Sequence, residues 1–229
     1  MSDNILSYIQ MCQREGTSLQ RGMNFGLGGS HSVILMSVRA NAPYRDRLED
    51  GGTTLIYEGH DEPKGSTVPN PKLLDQPGCY ASGSLTQNGK FHQAAQAFKS
   101  GHRQPERVRV YEKIKTGIWS YNGIFHLCDS WQERDEYRNV YKFRLVAVEG
   151  DEDLTLAATP NPTRRRIIPT AVKLAVWKRD GGKCVQCGAI DELHFDHDLP
   201  WSKGGTSITE ENVQLLCARH NLKKRANIV

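Results

Sequence analysis

The sequence predicts an α+β protein built from two unlike domains. Its first 150 residues contain short apolar runs rich in β-branched residues and one convincing helical period, which favours a sheet-dominated domain. The last third contains cysteines and histidines in closely spaced pairs, a pattern typical of a small domain held together by a metal. With 229 residues, the chain is long enough for two domains that each bury a core.

Composition and spacing predict each element in turn. Residues 1–15 leave two interpretations open, a short helix or a mobile lead. One helix is predicted over 88–100, where Phe91, Ala94, Ala95 and Phe98 recur at helical spacing, and another from Pro169 to about Arg179. The predicted strands are residues 31–38, 53–57, 107–113, 117–127 and 140–148.

A shift in charge accompanies the predicted domain boundary. We predict an N-terminal domain over 1–150, an acidic, proline-containing linker over 151–165 and a C-terminal domain over 166–229. Residues 161–229 carry 12 Lys and Arg against 7 Asp and Glu, whereas residues 1–160 carry 18 against 19. The basic C-terminal part therefore favours a polyanionic partner, of which nucleic acid is the simplest.

Nothing in the sequence resembles a membrane or export segment. No apolar run approaches membrane-spanning length, and the N-terminus lacks a basic region followed by an apolar stretch. Cys12, Cys79 and Cys128 are scattered without a disulfide framework and are interpreted as free thiols. These features predict a soluble, cytoplasmic protein with no membrane partner.

Two short half-sites near the C-terminus offer four metal ligands. Cys184 and Cys187 form a C-x2-C pair, and Cys217 and His220 form a C-x2-H pair. Zinc binds four such ligands tetrahedrally, and pairs on two turns are how a small segment supplies them. A C-x2-C pair alone also occurs by chance or as a redox pair, but the second pair favours structural Zn²⁺.

Asp196-His197, Asn212 and Asn221 lie between and beside these pairs, and the whole pattern resembles the HNH nuclease family in its zinc-stapled ββα-metal form. The resemblance implies that His197 is the general base and that Asp196 and Asn221 bind a catalytic Mg²⁺ or another divalent cation. It implies that Asn212 braces the loop carrying the base. Phosphodiester hydrolysis needs an activated water and a cation beside the phosphate, which these residue types supply. The alternative is a binding finger in which Asp196 and His197 are incidental surface residues.

Two further expectations concern this segment. In a regular strand Asp196 and His197 point to opposite faces, so the strand is expected to end or twist there. Lys223, Lys224 and Arg225 follow on the same predicted helix and suit contact with DNA phosphate, although a solvated helix end has the same composition.

A second resemblance covers most of residues 16–150. Several segments occur in the same order as in the SRA (SET- and RING-associated) domain, a curved β-barrel-like module that binds methylated cytosine. The matching segments are His31-Ser-Val-Ile-Leu-Met-Ser, Ile56-Tyr57-Glu-Gly-His-Asp61, Asp75-Gln76, Arg107-Val-Arg-Val-Tyr111, Tyr121-Asn-Gly-Ile-Phe125 with Trp131, and Tyr141-Lys-Phe-Arg-Leu145.

This resemblance implies a pocket for a base rotated out of the duplex. Tyr44 and Tyr57 are the predicted stacking pair, and Asp46 is the predicted acceptor for the cytosine amino group, with Glu58 as the alternative acceptor. The eukaryotic relatives place their acid one position later, where this chain has Arg47. Ordinary core packing is the alternative interpretation of both tyrosines.

Together, the two resemblances imply a modification-dependent restriction endonuclease of the SRA–HNH type. Its partner is double-stranded DNA containing 5-methylcytosine, and a homodimer is expected because one HNH site cuts one strand. Two other functions stay open: a non-catalytic reader of modified DNA, and a general HNH nuclease whose front domain has another specificity.

Overall fold

The computed structural model describes residues 3–19, 21–65, 70–148, 167–199 and 207–224. Within these ranges the chain forms four α-helices: α1 Tyr8–Glu15, α2 Gln87–Lys99, α3 Thr170–Arg179 and α4 Ala218–Lys224. The strands of the same ranges are β1 Asp3–Ser7, β2 Met23–Leu27, β3 His31–Met36, β4 Arg47–Glu49, β5 Thr54–Glu58, β6 Glu106–Lys115, β7 Ile118–Arg134, β8 Asn139–Ala147, β9 Leu193–His197 and β10 Val213–Cys217. The predicted α+β class is confirmed.

One hydrogen-bonded sheet connects all ten of these described strands. Its main path runs β10-β9-β1-β7-β6-β3-β2, and β8 joins β7 to β5, which pairs in turn with β4. Only β3 and β6 pair in parallel among the described strands. The long β7 pairs with β1, β6 and β8, and register shifts along it bend the sheet.

The main core lies between this sheet and α2. Phe91, Ala94 and Ala95, one face of α2, are buried against sheet residues that include Phe125 and Phe143. Thr86 begins the helix, because its hydroxyl accepts the backbone N–H of Gly89 at 3.2 Å. The predicted helical period is therefore the face that holds the larger domain together.

A second core encloses the C-terminal elements. Val176 of α3 is buried with Phe195 of β9 and Leu215 of β10. Ile5 of β1 belongs to the same cluster, although it stands at the other end of the chain. β1 pairs with β7 on one side and with β9 on the other, so the first strand connects the two parts of the protein.

A buried polar network also joins the two parts. Lys173 of α3 and Glu112 of β6 are both fully buried, with Nζ and Oε2 3.2 Å apart. Asn122 of β7 accepts from Lys173 Nζ at 2.7 Å and donates to Glu112 at 2.9 Å, and the Thr170 hydroxyl donates to the second Glu112 oxygen. This pairing anchors α3 on the sheet.

The structure extends the sequence prediction mainly at the strands. The predicted linker, 151–165, lies outside the described residues, and the boundaries at 150 and 166 stay predictions. β1, β2 and β4 were not predicted, whereas α1 follows one of the two interpretations left open for the first residues. Among the described helices, none has the length and apolarity needed to cross a membrane.

Candidate metal centre and base pocket

Asp46 lies between β3 and β5 and fastens the loop that connects them. One carboxylate oxygen accepts the Ser37 N–H at 2.9 Å, and the other accepts the Glu58 N–H at 3.1 Å. Burial raises the pKa of Asp46 to about 7, although these two hydrogen bonds oppose the shift. Each carboxylate oxygen can accept a further hydrogen bond, so the predicted contact with a cytosine amino group stays a prediction.

The two predicted stacking residues occupy different environments. Tyr44 is half-buried at the surface, whereas Tyr57 is 1% exposed and belongs to the main core. His60 lies between them: its ring stacks on Tyr44 with centroids 5.1 Å apart and planes 13° apart, and its Nε2 lies 2.9 Å from the Tyr57 hydroxyl. The structure therefore shows a Tyr44–His60 stack, with Tyr57 packed beneath it, and not an open pair of tyrosines.

Glu58, the alternative acceptor, is 4% exposed and already paired. Its Oε2 accepts from Lys142 Nζ at 2.8 Å and from the Arg45 N–H at 3.2 Å. Arg138, also buried, lies 3.8 Å from Oε1 and forms a shorter ion pair of 2.7 Å with Asp61. In this structure Glu58 is thus part of a buried ionic network, and its carboxylate does not face an open slot.

The four predicted zinc ligands converge from three elements. Cys184 and Cys187 occupy the turn after α3, Cys217 ends β10, and His220 lies in the first turn of α4. Their ligand atoms all lie within 4.8 Å of one another. Cys187 Sγ is 3.8 Å from Cys217 Sγ, and His220 Nδ1 is 3.4 Å from both Cys184 Sγ and Cys217 Sγ.

These distances fit a tetrahedral zinc site. Zn–S bonds of about 2.3 Å and Zn–N bonds of about 2.0 Å place neighbouring ligand atoms roughly 3.5–3.8 Å apart. Burial opposes ionisation of Cys184, but N–H donors led by that of Cys217 lower its pKa to about 6, which favours the thiolate that zinc binds. The residues present therefore fit a structural zinc ion, as the spacing predicts.

Asp196 and His197 are the last two residues of β9, whose first residue, Leu193, pairs with the zinc ligand Cys217. Asp196 pairs across the sheet with Gln214, and His197 with Val213. His197 Nε2 lies 2.7 Å from the hydroxyl of Ser207, which is fully buried. β9 ends at His197, where the strand was expected to end or twist, but both residues are still paired within the sheet.

Asn212 holds the segment that follows His197. Its side-chain oxygen accepts the Leu199 N–H at 2.7 Å, its amide donates to the Leu199 carbonyl at 3.3 Å, and its own carbonyl accepts the Asp198 N–H at 2.8 Å. These bonds hold Asp198 and Leu199 directly after His197, and the bracing role implied for Asn212 stays a prediction.

Lys224 is buried, whereas the predicted contact with DNA phosphate requires an exposed side chain. The side chain is 5% exposed, and its Nζ donates to Asp196 Oδ2 at 2.8 Å and to the His197 carbonyl at 2.6 Å. Asp198 Oδ1 lies 3.8 Å away. Lys223 is exposed at the same helix end, and Arg225 lies outside the described residues.

The position of Lys224 marks an oxygen-rich site for a cation. Two carboxylates and a carbonyl face its ammonium group, and oxygen donors of this kind are what Mg²⁺ prefers. Asn221 precedes Lys224 by three residues on α4, so both lie on the helix face turned toward β9. In this structure the cation that Asp196 contacts is the Lys224 ammonium, and the divalent cation implied for Asp196 and Asn221 stays a prediction.

Comparison with protein families identifies this part of the chain. Residues 184–227 match the family of HNH endonucleases. This segment is an HNH module. The zinc ligands and Asp196, His197, Asn212 and Asn221 all fall inside the match, and the HNH part of the predicted architecture is confirmed.

Solved structures of SRA domains are similar to the rest of the chain. The SUVH5 SRA domain with hemi-methylated CG DNA is 24% identical, with a TM-score of 0.43, over 66% of this chain and 90% of that chain. The same domain bound to fully hydroxymethylated CG DNA is 21% identical, with a TM-score of 0.45, over 67% of this chain and 93% of that chain. Arabidopsis thaliana SUVH6 in complex with SAM is 20% identical, with a TM-score of 0.39, over 65% of this chain and 26% of that chain. No curated protein matches the sequence.

Three residues of these sites were missed by the sequence analysis. His60 stands in the quoted segment around Tyr57, but nothing in that segment shows that its ring stacks on Tyr44. Asp198 directly follows Asp-His of the HNH module, where its proximity to the other acid is a usable signal. Ser207 contacts His197 although it lies ten positions later in the sequence, and no spacing rule predicts that contact.

Proposed function

We propose that this protein is a modification-dependent DNA endonuclease that recognises 5-methylcytosine by base flipping and hydrolyses the phosphodiester backbone with a divalent cation. The observation that carries the proposal is that Asp196 and His197 lie at the end of β9, within the same HNH match as an assembled zinc-ligand set. A structural metal together with a separate carboxylate–imidazole pair suits a hydrolase better than a binding finger.

The roles of the HNH residues follow from their contacts. The Ser207 hydroxyl fixes the His197 ring, which acts as general base and takes a proton from the attacking water. Asp196 and Asn221 hold the divalent cation, Mg²⁺ in this proposal, which when bound neutralises charge developing on the scissile phosphate. Asn212 keeps the segment after His197 in place, so that the base stays oriented.

Recognition of the modified base is assigned to the N-terminal part. Support comes from the SRA-like order of sequence segments and from Tyr44, a half-buried ring on which a planar ring, that of His60, already stacks. Asp46 is the proposed acceptor for the amino group, because its oxygens keep lone pairs beyond the two backbone contacts. Lys223 is the described residue proposed to contact phosphate.

The biological setting proposed is restriction of incoming DNA in the cytoplasm. An enzyme that requires 5-methylcytosine cuts modified DNA and spares an unmodified genome. A double-strand break needs two HNH sites, so we propose a homodimer with two-fold symmetry.

Digestion of matched duplexes tests this function. The substrates are one duplex with a single 5-methylcytosine and the same duplex unmodified, each incubated with and without Mg²⁺, while the zinc content of the enzyme is checked. We expect Mg²⁺-dependent cutting of the methylated duplex alone. Methyl-selective binding without cutting identifies a reader, and equal cutting of both duplexes identifies a general nuclease; either result overturns the proposal.

A further inference from the structure

The slot beside Tyr44 is filled by the protein itself. The His60 imidazole covers a face of the Tyr44 ring at 5.1 Å and nearly parallel, which is the arrangement a stacked base adopts. A base that stacks on this face of Tyr44 has to occupy the volume of the imidazole. The Lys72 ammonium lies 4.2 Å from the centre of the same ring, so the ring has contacts on more than one side.

His60 also blocks the path to Tyr57. Its Nε2 forms a 2.9 Å hydrogen bond with the Tyr57 hydroxyl. Gly22 completes the fit, since a Cβ atom there would lie 2.8 Å from both His60 Nε2 and the Tyr57 hydroxyl oxygen. Burial lowers the pKa of His60 to about 4, so a neutral, flat heterocycle occupies the slot at pH 7.

The side chain of His60 is held more weakly than its backbone. Asn88 fixes the backbone on both sides, accepting the His60 N–H and donating to the His60 carbonyl, each at 2.8 Å. The imidazole has one hydrogen bond, to Tyr57, and ring contacts with Tyr44 and Tyr57, and the residue is partly buried just after β5. Rotation about its χ1 therefore moves the ring out of the slot without moving the strand.

We propose that His60 is an internal substitute for the flipped base: it fills the slot beside Tyr44 in DNA-free protein and is displaced when 5-methylcytosine is bound. This inference rests on the proposed function. It makes His60 a residue that opposes binding of every base, so that only a base with enough favourable contacts replaces it. The ring thus weakens every complex with a flipped base relative to binding through phosphate contacts alone.

Removing the ring should strengthen binding to modified DNA. His60→Ala and His60→Gln are each titrated, without divalent cation, with a duplex carrying one 5-methylcytosine and with its unmodified counterpart. In both variants the base no longer has to displace the His60 imidazole from its stacking contact and hydrogen bond. We therefore expect both variants to bind the methylated duplex about three- to tenfold more tightly. Affinity for the unmodified duplex, which comes from phosphate contacts, should stay the same.

The design separates failure of this inference from failure of the proposed function. Gln keeps a polar partner for the Tyr57 hydroxyl, so it decides the result if the Ala variant does not fold. His102→Ala, at an exposed position after α2, is the matched control and should bind as the wild type does. Equal or weaker binding of the methylated duplex by both His60 variants overturns the inference. Wild-type protein that does not distinguish the two duplexes overturns the proposed function instead.

Discussion

The zinc centre and the predicted base pocket differ in how their own residues are packed. At the zinc centre, four ligand atoms already lie within 4.8 Å of one another, with separations that suit a tetrahedral ion. At the pocket, His60 stacks on Tyr44 and Tyr57 is packed in the core, so the site is closed by its own side chains. The difference teaches that local ligand pairs bring metal ligands together, whereas the proposed base-binding residues are packed against other side chains of the same protein.

The largest expected effect concerns the zinc centre. Cys184→Ser should remove zinc and unfold the HNH module, because structural zinc supplies on the order of 10 kcal/mol to such modules. Metal analysis and thermal unfolding measure both consequences. Cys79→Ser, which changes an exposed cysteine outside the cluster, should retain zinc and stability. Native protein that contains no zinc contradicts the assignment.

The next effect tests whether the two regions are independent. Lys173→Ala leaves Glu112 buried without its cation, and breaking a buried pair in this way costs about 3–5 kcal/mol. Chemical denaturation should show that loss in the free energy of unfolding. Lys178→Ala, at an exposed position of the same helix, should change it by less than about 0.5 kcal/mol. If the two substitutions have equal effects, the buried network is not what connects the two regions.

The pH dependence of stability should reveal Asp46. Its pKa is about 7 in the folded protein against an ordinary 3.8, so the folded state holds the proton more tightly. The free energy of unfolding should therefore fall as the pH rises from about 4 to 8, by on the order of 3 kcal/mol from this group. Asp46→Asn, which does not ionise, should lack that part of the slope. If the free energy of unfolding depends on pH in the same way for the variant and the wild type, the raised pKa of Asp46 is contradicted.

A smaller effect is expected for DNA binding by the same residue. Asp46→Ala removes the proposed acceptor and should weaken binding to methylated duplex by about 1–3 kcal/mol, which corresponds to roughly five- to 150-fold. Binding isotherms with methylated and unmodified duplexes measure the selectivity. Glu49→Gln disrupts only an exposed pair with Arg47 and is the control. Equal losses on both duplexes mean that Asp46 supports the loop and does not contact the base.

The sequence predicted the HNH module well because its chemistry is local. Cys184 and Cys187, and likewise Cys217 and His220, are three positions apart, and such spacing alone limits where their ligand atoms lie. Helix α2 was predicted almost to its ends because its buried face repeats at helical spacing. Local pattern was sufficient in both cases.

Other features depend on contacts between distant parts of the chain. β1 has little strand character in Asp3–Ser7, and it forms because β7 and β9 pair with its two edges. Lys224 stands in a basic run that suggested an exposed helix end, yet Asp196 draws it inward across 28 positions. The stack of His60 on Tyr44 likewise depends on how the loop before β4 folds back.

The most direct test asks whether the HNH residues cut DNA while the N-terminal part recognises the modified base. His197→Ala and wild type are compared on one methylated duplex and its unmodified counterpart. Binding and Mg²⁺-dependent strand cleavage are both measured. We predict that wild type and the control His102→Ala cut only the methylated duplex. His197→Ala should bind it with unchanged preference but cut it about 10²–10⁴ times more slowly, because the general base is lost. Near-normal cleavage by His197→Ala, or loss of its preference for the methylated duplex, would contradict the account.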